Sequence, residues 1–254
     1  MRMRTWIFCC ATLTSFAALA EDAPPPPPQG VWIGKGQFGL LASQGNSSGE
    51  SINAGIDMGL LLDPWEHKLH LEGLYGKSSG VVSAERWGAN WQSNYTFTPV
   101  WFAFGGLRYQ HDLFSGFQYQ GSETGGVGYK LLNTPDTKLS VQVGVGYREE
   151  RPEDQTKLPT GQVIRTLLPN DDSVIFTAGL DYSQAFTSTT TLSDKLLLEA
   201  GSGDTLITNT LALTVKMSTR LALSIGYNLQ DNTKPPGGLK KIDSVETVNL
   251  VFAF

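Results

Sequence analysis

The chain has 254 residues, 28 of them glycine, with 17% charged residues and a net charge of −5. Its only two cysteines, Cys9 and Cys10, lie at the very start, so a chain that loses this segment has neither a disulfide scaffold nor a thiolate metal site. The acidic balance argues against a nucleic-acid partner, which would want a basic face. No apolar stretch after residue 20 approaches the roughly 18 residues of a helical membrane span.

Residues 1–20 read as a secretory signal peptide. Arg2 and Arg4 supply the charged region, Thr5 to Phe16 a short apolar run, and Ala18-Leu19-Ala20 a cleavage site before Glu21. Removing the two arginines leaves 17 basic against 24 acidic residues, a net charge of −7. Residues 21–30 carry the proline run Pro24 to Pro28, a stiff polyproline II spacer leading toward the first strand. Residues 31–254 are expected to form a single domain.

That domain reads as about twelve strands separated by turn signals. Trp32–Ser43 ends in Gly45-Asn46-Ser47-Ser48-Gly49, and Ser51–Leu62 follows with Ile52, Ala54, Ile56, Met58 and Leu60 on one face. Asp63-Pro64 turns the chain into Glu66–Lys77. In Glu85–Phe97, Trp87, Ala89, Trp91, Tyr95 and Phe97 alternate with Arg86, Asn90, Gln92, Asn94 and Thr96. Val100–Asp112, Gln118–Leu132 and Lys138–Glu150 continue the pattern, the last with Leu139, Val141, Val143, Val145 and Tyr147 on its apolar side. A long loop, roughly 151–171, precedes Ser173–Thr187, with Val163–Leu168 inside it placed to extend the strands or fold over a mouth. Thr190–Gly201, Thr205–Met217 and Arg220–Gln230 come next. The loop Asp231–Lys241 leads to a last strand ending Val248-Asn249-Leu250-Val251-Phe252-Ala253-Phe254.

Side chains alternate across a strand, and a strand with one apolar face closed by a terminal phenylalanine suits a bilayer. A helix-free chain can cross lipid only as a closed barrel, because every backbone polar group needs a partner there. Tight connections such as Asp63-Pro64 and Thr98-Pro99 alternate with long ones, as periplasmic turns alternate with external loops in outer-membrane barrels. The fold class is therefore an all-β, transmembrane antiparallel β-barrel in the bacterial outer membrane with both termini periplasmic. Trp32, Trp101 and Phe254 fall near one rim, and Trp87, Tyr109 and Tyr147 near the other, as two aromatic girdles.

The run Arg108-Tyr109-Gln110-His111-Asp112-Leu113-Phe114-Ser115-Gly116, with Gly126-Val127-Gly128-Tyr129 and Gly144-Val145-Gly146-Tyr147-Arg148, resembles the salt-induced outer membrane protein family, a bacterial domain of uncharacterised function. Gly45-Asn46-Ser47 is similar to that family's glycine-asparagine-threonine turn, with serine in place of threonine. The resemblance implies an outer-membrane location and a link to salt or osmotic stress. It implies no catalytic or binding residues.

Strand parity points Asp57, Lys68, Glu72, Arg86, Arg108, Asp112, Arg148, Glu150, Asp181, Lys195, Glu199 and Arg220 into the lumen. Such charges line a narrow channel whose rings select solutes, or pair with each other and fill it. Arg86, Arg108, Asp112, Arg148 and Glu150 are the selectivity candidates. Lys234, Lys240 and Lys241, flanking Pro235-Pro236-Gly237-Gly238, are candidates for external lipid phosphates, as are Arg151, Lys157 and Arg165 in the long loop. The expected partners are outer-membrane lipid and lipopolysaccharide, and the barrel-assembly machinery reading the strand that ends at Phe254.

An enzyme would need a nucleophile and base at the lipid-facing rim, for which His111 is the candidate base. Ser93 faces outward but deeper, Ser122 faces inward, and His70 points inward beside Glu72. No spacing resembles a metal site and no cofactor is implied. The expected function is thus a narrow channel for small solutes or ions, not an enzyme, with a filled structural or adhesive barrel as the alternative. Glu123 and Asp194 interrupt the outward apolar pattern; a β-bulge that flips the register is the expected cause, with a contact between protomers as the alternative.

Overall fold

A computed structural model describes residues 29–43, 49–157 and 163–254. The expected signal peptide, the proline run and the turn at 44–48 lie outside the described residues. The chain forms β1 (Trp32–Ser43), β2 (Gly49–Leu62), β3 (Trp65–Ser78), β4 (Val81–Thr96), β5 (Trp101–Asp112), β6 (Phe117–Asn133) and β7 (Thr137–Lys157). Then come β8 (Val163–Leu167), β9 (Asp171–Ala185), β10 (Thr190–Ala200), β11 (Thr205–Lys216), β12 (Leu221–Asn232) and β13 (Ile242–Ala253). Twelve of these close into an antiparallel barrel, each paired with its neighbours in sequence, while β8 pairs only with β7. Closure comes from β1 against β13, with Gly36 opposite Phe252 and Phe38 opposite Leu250. Beyond that register, the backbone of Phe254 exchanges hydrogen bonds with Gly34 at 2.9 and 3.0 Å.

Five short connections, at Asp63-Pro64 and after Thr96, Asn133, Ala185 and Lys216, share one end with Trp32 and Phe254. This is the turn end, and the opposite one is the loop end. At the loop end, the strands expected to stop at Lys77 and to start again at Glu85 run on to Ser78 and from Val81. Ser79 and Gly80 both have positive φ (51° and 79°), the geometry of a two-residue hairpin turn whose twist matches its strands. Val81, Val82 and Ala84 therefore pair with β3, and the register shifts between Gly76 and Lys77 opposite Ser83. The long 151–171 connection is likewise mostly strand: β7 runs on to Lys157 and β8 folds back on it, Asp154 opposite Thr166. Arg151 and Arg165 thus sit on strands. Arg220, expected inside the lumen, lies exposed in the turn before β12.

The alternation holds around the ring. Val248, Leu250 and Phe252 face outward and are exposed, while Asn249 and Val251 face inward and are buried. The outer wall is a continuous apolar surface of this kind, far beyond what soluble domains expose. Among the described residues no helix is long and apolar enough to cross a membrane; a barrel crosses with strands. The buried side chains lie in the lumen, where Phe102, Phe104, Ile175 and Leu206 share the interior with Gln120, Arg148, Glu150 and Glu199.

Glu123 and Asp194 do not mark register flips. Glu123 pairs in unbroken register with Leu107 and Tyr147, and Asp194 with Tyr182 and Leu211. The bulges of β6 fall elsewhere, near Phe117 and Lys130. Both carboxylates point outward, and Asp194 accepts a 2.7 Å hydrogen bond from Asn209 Nδ2.

Candidate functional site

The lumen divides into unlike sectors. On the side of β5, β6, β7 and β10, charge is paired. Arg108 Nη2 meets Glu199 Oε2 at 2.5 Å, four strands around the ring, and Ser122 donates to Glu199 Oε1 at 2.8 Å. Arg148 lies 3.2 Å from Glu150 and pairs with Asp204, while Gln120 donates to Glu150 at 2.5 Å. Arg148 and Glu199 are each 1% exposed. Buried charges persist only when paired in this way. Toward the turn end the same sector also holds two phenylalanines, beside Gln142 and Lys130. Phe102 and Phe104 lie over glycines of β6 and β7, where a Cβ at Gly128 would fall 2.1 Å from Phe102 and one at Gly126 2.9 Å from Phe104.

The opposite sector is polar and less filled. Gln37, Asn53 and Asn249 form a chain of amides, with Asn53 Nδ2 donating to Asn249 Oδ1 at 2.7 Å and Asn249 Nδ2 to Gln37 Oε1 at 3.4 Å. They lie flat because the wall beneath them is glycine. A Cβ at Gly39 would fall 2.3 Å from Asn53 Oδ1, and one at Gly55 2.7 Å from Gln37 Nε2. Beside them is a cavity of about 100 Å³, also bordered by Glu72, Arg86, Thr210, Asn228 and Thr247. His70 Nδ1 pairs with Asp57 at 2.7 Å, and Lys35 reaches the same carboxylate at 3.5 Å. One bond spans the whole bore: Gln110 on β5 donates to Gln230 on β12 at 3.1 Å, between strands six places apart in either direction.

Two segments cover the loop end. Glu153 N–H donates to the Gly116 carbonyl at 2.9 Å. Gln155 and Arg165 donate to the Leu113 carbonyl at 3.0 and 3.1 Å. Arg165 also pairs with Glu153 at 3.2 Å and lies over the Phe114 ring. From the far side of the ring, the β12–β13 connection brings Pro236 and Leu239 against Gly116, whose missing Cβ would sit 2.7 Å from Leu239 Cδ1. Gly116 and Gly237, at φ 82° and 62°, let both chains turn there.

Of the residues marked from the sequence, Arg108, Arg148 and Glu150 join one buried network. Arg86 lines the polar cavity, in register with Asp112, whose carboxylate accepts the Phe114 N–H at 2.8 Å and holds the β5–β6 turn. Lys234, Lys240 and Lys241 are exposed on the covering connection. Lys195 and Asp181 point inward, paired in register with each other. Asp204, in the β10–β11 connection, carried no sequence signal because a loop residue has no periodicity. Lys35 and Glu66 were missed as well: Glu66 sits 3.3 Å from Lys68 and accepts from Asn94 at 3.2 Å.

On the outer wall, His111 stacks near Trp87 and places Nδ1 on the Gln118 carbonyl oxygen, so that nitrogen carries a proton. The outward serine–histidine pair is a different one. His67 Nδ1 lies 2.8 Å from Ser93 Oγ, which also accepts the Trp91 indole N–H at 2.9 Å. That donation draws electron density from the hydroxyl, and Trp65 stacks on the imidazole in an aromatic belt at the turn end. Among the described residues no group of three or more His, Cys, Asp or Glu side chains could hold a metal ion.

The chain belongs to a family described as protein of unknown function, DUF481, whose model matches residues 36–254. No curated protein matches it. Its architecture is similar to that of the NanC porin, with 12% identity and a TM-score of 0.47 over 87% of this chain and 98% of that one. It is also similar to the translocator domain of the autotransporter NalP from Neisseria meningitidis, at 12% identity and a TM-score of 0.43 over 88% and 87% of the two chains. The KdgM porin compares at 11% identity and 0.41 over 88% and 99%.

Proposed function

We propose that this DUF481 barrel is a narrow outer-membrane channel for small solutes or ions, with both termini in the periplasm. The observation that carries the proposal is the division of the lumen. One sector is filled with ion pairs and phenylalanines, whereas the other is held open by glycines beneath its amides. A barrel serving only as an anchor gains nothing from keeping that polar space. Arg86 borders it and is the residue placed to bias selectivity.

Refolded protein in a planar bilayer tests the reading. Discrete current steps are expected, with an ion preference that moves toward cations in Arg86→Gln. Silence from a folded barrel would sink the channel and favour a filled structural barrel, the reading to which the paired Arg108–Glu199 and the covered loop end lend support. Exposed Lys240 and Lys241 suit lipopolysaccharide phosphates at the external rim, and exposed Phe254 suits recognition by the assembly machinery. A role under salt or osmotic stress belongs to the same proposal, and growth of a deletion strain after an osmotic shift tests it.

A further inference from the structure

We infer that the solute class of the lumen is small, uncharged and polyhydroxylated, and that the wall of β11, β12 and β13 is its track; this rests on the channel reading above. Between Lys216 at the turn end and Asp243 at the loop end, the inward positions of these three strands carry hydroxyls, amides and small or apolar groups, and none is ionisable. Thr210, Ser224, Asn228 and Thr247 border the open cavity from this wall. Hydroxyls and amides both donate and accept, which matches a solute whose own hydroxyls do the same.

On this wall itself a bare ion finds no fixed charge. Arg108 is engaged with Glu199, Arg148 with Asp204 and Lys35 with Asp57, and the charges that border the cavity, Glu72 and Arg86 with His70, face it from β3 and β4 and are of both signs. A solute of one sign is drawn to one of these groups and repelled by the other, whereas a hydroxyl donates to a carboxylate and accepts from a guanidinium alike. The space is small, about 100 Å³, which favours a short polyol over a longer chain. The space is also built into the wall. A Cβ at Gly226 would fall 2.6 Å from Thr247 Oγ1, so the hydroxyl lies back over a bare backbone instead of reaching across the bore.

The test is stopped-flow light scattering of liposomes holding the refolded barrel, mixed with iso-osmotic glycerol, erythritol or sodium glycerate. Glycerol and erythritol are expected to enter faster than glycerate. Thr210→Val with Thr247→Val keeps the volume and removes two hydroxyls. It is expected to slow polyol entry by about fivefold or more and to narrow the ratio of glycerol to glycerate entry. A conducting barrel that admits glycerate as fast as glycerol overturns the solute class and leaves the channel standing. So does an unchanged polyol rate in the valine pair, its folding verified by heat-dependent gel shift. A folded barrel that neither conducts nor swells overturns the channel reading, and this inference with it.

Discussion

Glu199 holds two partners from two strands, the guanidinium of Arg108 and the hydroxyl of Ser122, in a place where water scarcely reaches. Removing one member of such a set costs more than removing the pair, because the survivor is left charged and dry. Glu199→Leu is expected to destabilise the barrel by about 3–5 kcal/mol, measured by urea unfolding in lipid vesicles. Adding Arg108→Met should recover most of that loss, and a double variant as weak as the single one would mean that Arg108 is satisfied without Glu199. Glu123 offers the opposite case. It faces outward between Leu107 and Tyr147, where a carboxylate against lipid costs free energy, though less than a basic residue would. Glu123→Leu is expected to stabilise the folded barrel by about 1–2 kcal/mol in the same assay; a loss of stability would show that the carboxylate has a partner on that face.

The loop-end cover works at the scale of the element. The β7–β8 hairpin is tied to the β5–β6 turn by backbone and side-chain hydrogen bonds, whereas the β12–β13 connection reaches that turn chiefly through Leu239 and Pro236. The second cover is the weaker one. Leu239→Ser is expected to raise the open fraction in bilayer recordings without changing the heat-dependent gel shift, while disruption of β8 should lower the stability of the barrel end. How far this was legible depended on periodicity. Along β4, β5 and β7 the two faces differ so sharply that parity placed Trp87, Arg108 and Arg148 where they lie. Within connections parity is silent, so Asp204 went unseen and the strands on either side of Ser79-Gly80 were ended short of their turn. Glu123 and Asp194 misled for another reason: a polar residue on an apolar face suggested a change of register, but the unbroken ladder leaves each side chain outward.

For the molecule as a whole, closure depends on the shortest stretch of pairing. β1 and β13 share four register pairs, and two further backbone bonds join Gly34 to Phe254. Deleting Phe254 removes those two bonds together with the exposed terminal ring. It is expected to reduce the fraction of heat-modifiable barrel recovered from outer membranes, while the same variant refolded from urea into detergent recovers most of its yield. Equal yields from membranes would place the terminal residue outside the assembly step. The architecture at this scale was read well from the sequence because each of the twelve barrel strands carries its own alternation. The content of the lumen was not, because side chains that meet across a ring, such as Arg108 and Glu199, are separated in sequence by whole hairpins.

Gln110 and Gln230 join strands that stand opposite one another on the ring. Two glutamine side chains and one hydrogen bond cannot span a circular section of this many strands, so the barrel is an ellipse with its minor axis along that bond. The major axis then runs between β2 and β9, past the open amides on one side. The bore is a slit, and its width can be altered without touching a charge or a ladder hydrogen bond. Shortening either glutamine by one methylene would let the walls relax toward a rounder section.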